Sequence, residues 1–287
     1  MKKVFAFIFW GIAFHSLAQD SDAKTIPDSI STVVFTKQPV ESFMLWQIKS
    51  IHEFIHRFNY ETFIDGTKMN DSLQMVYPRS QYILKLFNED DERLKITEKT
   101  QPYFIKVNQF IAMICEEDIK IEKQAKLSAM VKVEAYYQEN EVTFDVYLQK
   151  QYQKKEASAR WQITNISLPK EIIEEHQHLI ERKDITTIDS TYREEGLNPN
   201  AQDIAFSPLI NAFNQEKSIV SLCNQTILKH QEIYILEKIL RLSLLKVKGT
   251  KDIIFKINVH KNYQIEIREF MREKENSGWL ITDLKQN

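Results

Sequence analysis

The amino-acid sequence predicts an α+β fold made of two tandem units, in each of which one or more N-terminal helices pack on a curved antiparallel sheet. Three observations predict this architecture. A short tryptophan-bearing signature occurs twice, at residues 159–166 and 277–284. Each copy follows a stretch in which apolar and polar residues alternate, which is the period of a half-buried strand. Each of these stretches in turn follows apolar residues at helical spacing.

The repeated signature indicates two copies of one structural unit. In both copies the Trp is followed by Ile two positions later and by Ile or Leu five positions later. Trp161 comes nine residues after the aromatic residue Tyr152. Trp279 comes nine residues after Phe270. The two closing strands are therefore expected to occupy equivalent places in their units.

The first unit, residues 41–168, begins with three predicted helices. Apolar residues recur at intervals of three and four over residues 42–58, and Ser42 is the expected N-cap. The residues of this stripe are Met44, Ile48, Ile51, Ile55 and Phe58. A second helix is predicted to begin near Pro78 and a third at Pro102, because proline is favoured in the first turn of a helix.

The hydrophobic period then changes from that of a helix to that of a strand. Apolar and polar residues alternate over residues 131–137 and 142–149, with a turn between them, and a third strand carries Trp161. This pattern predicts an antiparallel meander with one buried face and one solvated face. Ile163 and Ile166 are three positions apart, so in a regular strand their side chains would point to opposite faces. We expect a β-bulge in this last strand that brings both to the buried face.

A connector, residues 169–200, leads to a second and shorter unit, residues 201–287. The connector contains a charged stretch, residues 171–182, that is expected to be helical. The elements predicted for the second unit are a helix over 208–222, one long strand or two over 233–247, a turn at 248–250, and alternating strands through 255–259 and 263–267 that lead to Trp279.

Leading helices and a bent meander that closes on a Trp-x-Ile strand resemble the nuclear transport factor 2-like superfamily. Its members are cystatin-like α+β cones in which a curved sheet wraps the N-terminal helices. Residues 41–168 fit this plan in length and order, and residues 201–287 fit it in reduced form, with one clear leading helix. The resemblance implies a fold shared by enzymes, carriers and dimerisation modules, so it does not select a function.

The first 18 residues have the pattern of a secretory signal peptide. Two lysines precede an apolar run over residues 4–14, and small residues stand at positions 16 and 18. The run is shorter than the roughly twenty apolar residues that a membrane-spanning helix needs. We expect cleavage after Ala18, a flexible leader over residues 19–40, and a protein that is periplasmic or secreted.

Charge and glycine content exclude several functional classes. The formal net charge is −2 at pH 7, so no global field attracts nucleic acid. The glycines beyond the signal peptide are isolated at positions 66, 196, 249 and 278, whereas loops that cradle phosphate need clustered glycines. Nucleotide-dependent chemistry of that kind is excluded.

The two cysteines leave one structural question open. Cys115 and Cys223 fall in different halves of the chain. Export permits a disulfide that would link the two units. Two small buried thiols account for the sequence equally well.

One motif points to metal chemistry. His52, Glu53 and His56 form a His-Glu-x-x-His pattern within the first predicted helix. Residues four apart share a helix face, so two imidazoles can bind one zinc ion while the glutamate acts as base on the metal-bound water. Against this interpretation, Arg57 follows the motif where metallopeptidases normally have an uncharged residue, and no third ligand is marked.

Aromatic residues provide candidates for a binding surface. Tyr136 and three further tyrosines cluster on the first predicted sheet, where cross-strand packing explains them as well as a pocket does. The residues named as pocket or interaction candidates are Trp46, Tyr137, Tyr147, Tyr152 and Trp161.

The sequence therefore predicts an exported bacterial protein that works by binding, with no enzymatic activity and no cofactor expected. The binding surface would be the mouth or the outer sheet face of the first unit. The partner would be a protein or a small apolar ligand, with homodimerisation through the sheet faces as a further option. The alternatives are a structural envelope component and a secreted zinc-dependent hydrolase that uses His52, His56 and Glu53.

Overall fold

The computed structural model describes residues 46–95, 97, 101–153, 158–180, 195–215 and 218–286. Its six strands form one antiparallel sheet built from two consecutive meanders. The strands are β1 (Leu127–Tyr137), β2 (Asn140–Gln153), β3 (Ser158–Ser167), β4 (Leu245–His260), β5 (Tyr263–Phe270) and β6 (Gly278–Gln286). Their order across the sheet is β3-β2-β1-β4-β5-β6, so the first strands of the two meanders pair in the centre. The predicted α+β class with an antiparallel sheet is confirmed.

Seven α-helices accompany the sheet in the described ranges. They are α1 (Ile51–Phe58), α2 (Asp71–Val76), α3 (Arg79–Leu84), α4 (Gln101–Glu116), α5 (Lys170–His176), α6 (Ser207–Asn214) and α7 (Gln231–Arg241). Short 3-10 helices lie between them, among them Ala201–Ile204 and Ile219–Leu222. None of the helices in the described part of the chain is long and apolar enough to cross a bilayer.

The strand period gives the sheet an inner, buried face and an outer, solvated face. Every second residue of β1 is buried, from Leu127 to Tyr137. The intervening residues face outward, and residues on this outer face of the sheet make cross-strand ion pairs. Lys132 Nζ lies 2.8 Å from an Asp145 carboxylate oxygen, and Lys285 Nζ lies 2.6 Å from Glu266 Oε1. The sequence prediction of one buried and one wet face is therefore correct.

Helices from each half of the chain pack on strands from the other half. Phe110 of α4 contacts Tyr263 of β5, with ring centroids 5.3 Å apart. In the opposite direction, Phe213 of α6 lies 6.1 Å from Phe144 of β2. The helices of each meander therefore help to bury the inner face of the other meander.

Short segments of chain before and between the helices protect the two edges of the sheet. They form the isolated bridges Ile48–Gly278 and Phe87–Ile281 on β6, and Leu197–Trp161 and Cys223–Ile163 on β3. Backbone groups of an open edge strand would otherwise be free to pair with another chain. Each edge is thus covered by chain from the opposite half.

The bulge that parity predicts in β3 is present. Tyr147 pairs with Asn165 and Leu148 pairs with Ile163, which leaves Thr164 as the extra residue. The Thr164 hydroxyl donates a hydrogen bond of 3.2 Å to the Tyr147 carbonyl. The extra residue therefore lets both Ile163 and Ile166 point to the buried face of the sheet.

The prediction for residues 42–58 was wrong as a single helix. Residues 42–45, including the expected cap Ser42, lie outside the described residues. Ile48 pairs with Gly278 instead of continuing a helix, and α1 begins only at Ile51. The cap is Ser50, whose hydroxyl accepts a hydrogen bond of 3.1 Å from the Glu53 amide.

Two predictions for the second unit were also wrong. Residues 233–247 do not begin as a strand, because residues 231–241 form α7, whose buried Ile233, Leu236 and Ile239 recur at the helical spacing of three. Residues 248–250 are not a turn, since β4 continues through them. The pairing of β4 with β1 shifts register on either side of Gly249, so the turn-favouring residues produce an irregular strand instead.

Other expected elements are shorter than predicted. The helix expected over 208–222 ends as α6 at Asn214 and is followed by a separate 3-10 helix, with 216–217 outside the described residues. The connector helix, expected over 171–182, is α5 followed by one 3-10 turn to Leu179, and residues 181–182 lie outside the described residues. Both cysteines carry free thiols, with Cys223 buried, so no disulfide links them.

Residues Pro39–Asn287 form one compact unit, and all the described residues belong to it. The division into tandem units at 41–168 and 201–287 stays a prediction.

Candidate functional site

A cleft with a volume of about 640 Å³ opens on the inner face of the sheet. One wall is α1, and the opposite wall is the start of the 3-10 helix Ala201–Ile204. The loop that leads into β1 contributes residues 121–123 and Ala125. The cleft therefore lies between groups of residues that come from different halves of the chain.

The floor of the cleft is apolar and lies where the two meanders join. Leu127 of β1 and Ile257 of β4 are directly paired in the sheet, and both line the cleft. Ile51 and Ile55 of α1 and Ile121 of the loop continue this surface. An apolar floor with a few polar groups on its rim is typical of a small-molecule site.

Lys150 is the most unusual group in the cleft. It is half-buried on β2, and burial lowers the pKa of its ammonium, while the nearby Asp203 carboxylate acts in the opposite direction. Its Nζ lies 5.9 Å from the centroid of the Trp161 ring. No hydrogen bond or ion pair engages this ammonium within the described ranges. A desolvated cation without a bound counter-ion favours the approach of an anion.

The wall opposite α1 is held by a buried hydrogen bond. Trp161 Nε1 donates to Gln202 Oε1 at 2.7 Å, and Gln202 Nε2 donates to Asp203 Oδ1 at 3.2 Å. The Trp161 side chain is fully buried. This network fixes the position of Asp203 relative to Lys150 across the cleft.

Two histidines stand on the rim, on one face of α1. His52 Nε2 and His56 Nε2 are 3.0 Å apart. His56 Nδ1 lies 2.6 Å from Glu61 Oε2. The i, i+4 spacing of the motif therefore brings the two imidazoles together, as the sequence predicts.

The third residue of the motif points elsewhere. A carboxylate oxygen of Glu53 accepts a hydrogen bond from Arg57, and the other accepts from the Lys49 amide at 2.9 Å. The Arg57 guanidinium is buried and also donates to the Trp46 carbonyl at 2.8 Å and to the Ile64 carbonyl at 3.2 Å. Glu53 is thus the counter-ion of a buried arginine.

The five aromatic candidates do not share one site. Tyr152 lines the cleft, and burial raises the pKa of its hydroxyl. Trp161 lies in the core beneath Lys150, and Tyr147 is on the outer face, between the buried residues Val146 and Leu148. Trp46 packs in an aromatic cluster with Tyr82 at a centroid distance of 6.5 Å.

Tyr137, the fifth candidate, belongs to a separate buried network. Its hydroxyl donates to Glu175 Oε2 at 2.7 Å and contacts His176 Nε2 at 2.6 Å. Burial, together with the Glu175 carboxylate, raises the pKa of Tyr137 to about 12. This network ties α5 to the end of β1.

Sequence reasoning missed Lys150, Gln202 and Asp203. A signal for Lys150 was present, because it shares the parity of Val146 and Leu148 and so had to point to the buried face. Gln202 and Asp203 had no such signal, since they come from an irregular segment that only the tertiary fold brings to β2.

No protein-family model, curated protein or solved structure matches the chain.

Proposed function

We propose that this chain is an exported, non-enzymatic binding protein that holds a small amphipathic anion in the cleft. The observation that carries the proposal is the half-buried ammonium of Lys150 above an apolar floor. The apolar body of the ligand would lie on Leu127 and Ile257, and its anionic group would pair with Lys150.

The energetics favour such a ligand over a neutral one. Burial of the apolar body contributes about 25 cal/mol for each Å² removed from water. A hydrogen-bonded charge pair adds about 1.5–3 kcal/mol, and it also relieves the desolvation that lowers the Lys150 pKa. Both contributions require the same molecule to be apolar at one end and anionic at the other.

A pair of fluorescent probes tests the proposal. The anionic probe 8-anilinonaphthalene-1-sulfonate should bind the mature chain at one site. Lys150→Met should weaken that binding about tenfold, or ~1.4 kcal/mol, because the charge pair is lost while the stem is kept. The neutral probe N-phenyl-1-naphthylamine should bind both proteins alike. Fluorescence titration gives the four dissociation constants.

Two controls separate the cleft from non-specific surface binding. Lys251→Met removes an exposed lysine of β4 and should leave both probes unaffected. Ala125→Phe fills the cleft and should abolish the binding of both probes, with far-UV circular dichroism unchanged. If Lys150→Met binds the sulfonate as tightly as the wild type does, the proposed anion site does not exist.

The position of Glu53 argues against the zinc-hydrolase alternative. As the base of that mechanism its carboxylate would have to be free, but it is bound to the buried Arg57. Freeing the carboxylate would leave a buried guanidinium without its counter-ion, which is costly.

Export is proposed on the signal-peptide pattern alone. Residues 1–18 and the expected leader, residues 19–40, lie outside the described residues. N-terminal sequencing of the protein from a periplasmic extract should find Gln19 as the first residue. An uncleaved Met1 would contradict the proposal.

We also propose that the chain holds two unequal copies of one unit, related to the nuclear transport factor 2-like cones. A second bulge, at Thr282 of β6, supports this, since the Thr282 hydroxyl donates to the Glu266 carbonyl at 3.3 Å. Asn88 and Asn224 support it further, because their amides donate to the Ile281 and Ile163 carbonyls at 2.9 and 2.8 Å. A solved structure whose cone superposes on one half alone would test the relationship.

A homodimer through the outer sheet faces is the proposed option for a protein partner. The ion pairs of that face, such as Arg268 with Asp252 at 3.4 Å, would have to meet their equivalents across the interface. Light scattering of the purified protein measures the oligomeric state, and a monomer at high concentration would rule this partner out.

A further inference from the structure

The two histidines on the rim of the cleft are joined by a hydrogen bond between their Nε2 atoms. His52 and His56 lie on one face of α1, and their Nε2 atoms are 3.0 Å apart. The ring planes are nearly perpendicular, at 86°. The two nitrogens therefore face each other beside the cleft, which both side chains line.

The tautomer of His56 follows from its other contact. His56 Nδ1 lies 2.6 Å from Glu61 Oε2, and an ionised carboxylate can only accept a hydrogen bond. The ring proton of neutral His56 is therefore on Nδ1, which leaves a lone pair on Nε2. This is the tautomer that binds a metal ion through Nε2.

The carboxylate behind His56 is itself supported. Asn59 Nδ2 lies 3.4 Å from Glu61 Oε1. The Asn59 side chain is buried, and it bonds both the amide of Ile121 at 2.7 Å and the carbonyl of Ile121 at 2.9 Å. A chain of hydrogen bonds thus runs from the cleft wall through Asn59 and Glu61 to the His56 ring. Such outer partners orient the ligating histidines of metal sites.

The distance between the two nitrogens fits a common metal ion. Zn–N bonds of about 2.0–2.1 Å that subtend an angle between 90° and 109° place the two nitrogens roughly 2.8–3.4 Å apart. The observed 3.0 Å falls in this interval. In the absence of metal, His52 Nε2 donates the hydrogen bond to His56 Nε2, so a bound ion would take the place of that proton and His52 would carry its proton on Nδ1.

We propose that His52 and His56 bind one divalent transition-metal ion through their Nε2 atoms, with Glu61 as the orienting carboxylate of His56. Imidazole ligands select Cu²⁺, Ni²⁺ and Zn²⁺ over Mg²⁺ and Ca²⁺, and the usual order of affinities places Cu²⁺ first. Among the described residues no third His, Cys, Asp or Glu completes a cluster of three. The remaining coordination positions therefore face the cleft and can take water or a donor atom of a bound molecule.

This metal site differs from a hydrolase centre and does not depend on the proposed anion. Glu53 takes no part in it, since its carboxylate is bound to Arg57. The Lys150 site and the histidine pair can be removed separately, so a failure of one proposal leaves the other standing.

Titration of the chelator-treated mature chain with Cu²⁺, Ni²⁺ or Zn²⁺ tests the site by calorimetry. We expect one ion per chain, bound most tightly for Cu²⁺, and no response to Mg²⁺. His52→Ala and His56→Ala should each abolish this binding. Glu61→Gln should weaken it about 10- to 100-fold, as loss of an orienting carboxylate does at metal sites. His178→Ala, which removes a histidine outside the cleft, should change nothing.

A second measurement keeps the test independent of folding. Electron paramagnetic resonance of the Cu²⁺-loaded wild type should show two coupled imidazole nitrogens, and His52→Ala should show no protein-bound Cu²⁺ signal. His52→Ala and His56→Ala should both retain the thermal melting temperature of the metal-free wild type, since the two rings are not part of the core. Binding that persists in the doubly substituted protein, or the absence of binding in the wild type, would overturn the proposal.

Discussion

The ion pair between Glu53 and Arg57 gives the glutamate of the His-Glu-x-x-His motif a structural role instead of a catalytic one. Arg57 is buried and uses its guanidinium to hold the chain before α1 through the carbonyls of Trp46 and Gln47. A buried guanidinium needs a nearby anion, and Glu53 supplies it from the preceding turn of the helix. The residue that looked like a catalytic base in the sequence is therefore required by the fold.

Substitution of Glu53 tests this structural role. Glu53→Gln should lower the free energy of unfolding by about 1–3 kcal/mol, because the buried guanidinium loses its counter-ion. The matched control is Glu174→Gln, whose i, i+4 partner Lys170 is exposed, and it should change stability by less than about 0.5 kcal/mol. Urea denaturation of the three proteins gives both differences. Equal stability of the two variants would contradict the assignment.

Part of the site could be predicted from residues alone, and part could not. The spacing of His52 and His56 placed both imidazoles on one helix face, and this was correct. The inward parity of Lys150 was available in the sequence as well. The role of Glu61 was not, because it depends on how the chain turns after α1 and on the buried Asn59 that supports it.

At the scale of elements, the closing strands explain why the tryptophan signature recurs. In each copy a threonine follows the Ile that comes two residues after the Trp, and it is the bulged residue of its strand. The bulge lets the later Ile or Leu return to the buried face despite the odd spacing. The odd spacing of Ile163 and Ile166 was enough to predict the bulge in β3, because the alternation of side chains along a strand is visible in local sequence.

Gly278 fixes the edge of the second closing strand. Its φ is +79°, and a Cβ built on it would lie 2.1 Å from the Ile48 carbonyl oxygen. Gly278→Ala should therefore cost about 3 kcal/mol or more, from the backbone strain and from loss of the Ile48 bridge. Gly249→Ala is the control, because a Cβ there meets nothing within 4 Å, and it should be neutral or slightly stabilising. Thermal denaturation of both variants checks the contrast, and similar melting temperatures would refute it.

The helix α7 shows where element prediction from sequence fails. Its segment contains three isoleucines and a tyrosine, residue types that favour strands when read by composition. The helical spacing of its buried residues is equally visible in the sequence. Tertiary packing decides between helix and strand, because α7 lies against Ile219–Leu222 and the sheet.

At the scale of the whole molecule, each meander supplies a pairing strand and covering helices to the other. β1 and β4 pair along the whole of β1, and helices of each half cover strands of the other half. None of this could be predicted from the sequence, because local patterns specify each strand but not which distant strand it pairs with. The unequal helix content of the two halves is the one visible hint, since the second meander has too few helices of its own to bury its inner face.

This exchange predicts that neither half folds alone. When the mature chain is produced as two polypeptides, 19–183 and 184–287, each should aggregate or stay unfolded by itself, because β1 and β4 would both become exposed edges and Phe110 and Phe213 would lose the rings they pack against. Produced together, the two should form a soluble 1:1 complex with the far-UV circular dichroism of the intact chain. Copurification and analytical ultracentrifugation measure this. A polypeptide 19–183 that folds as a cooperative monomer would show that the first unit needs no cover from the second.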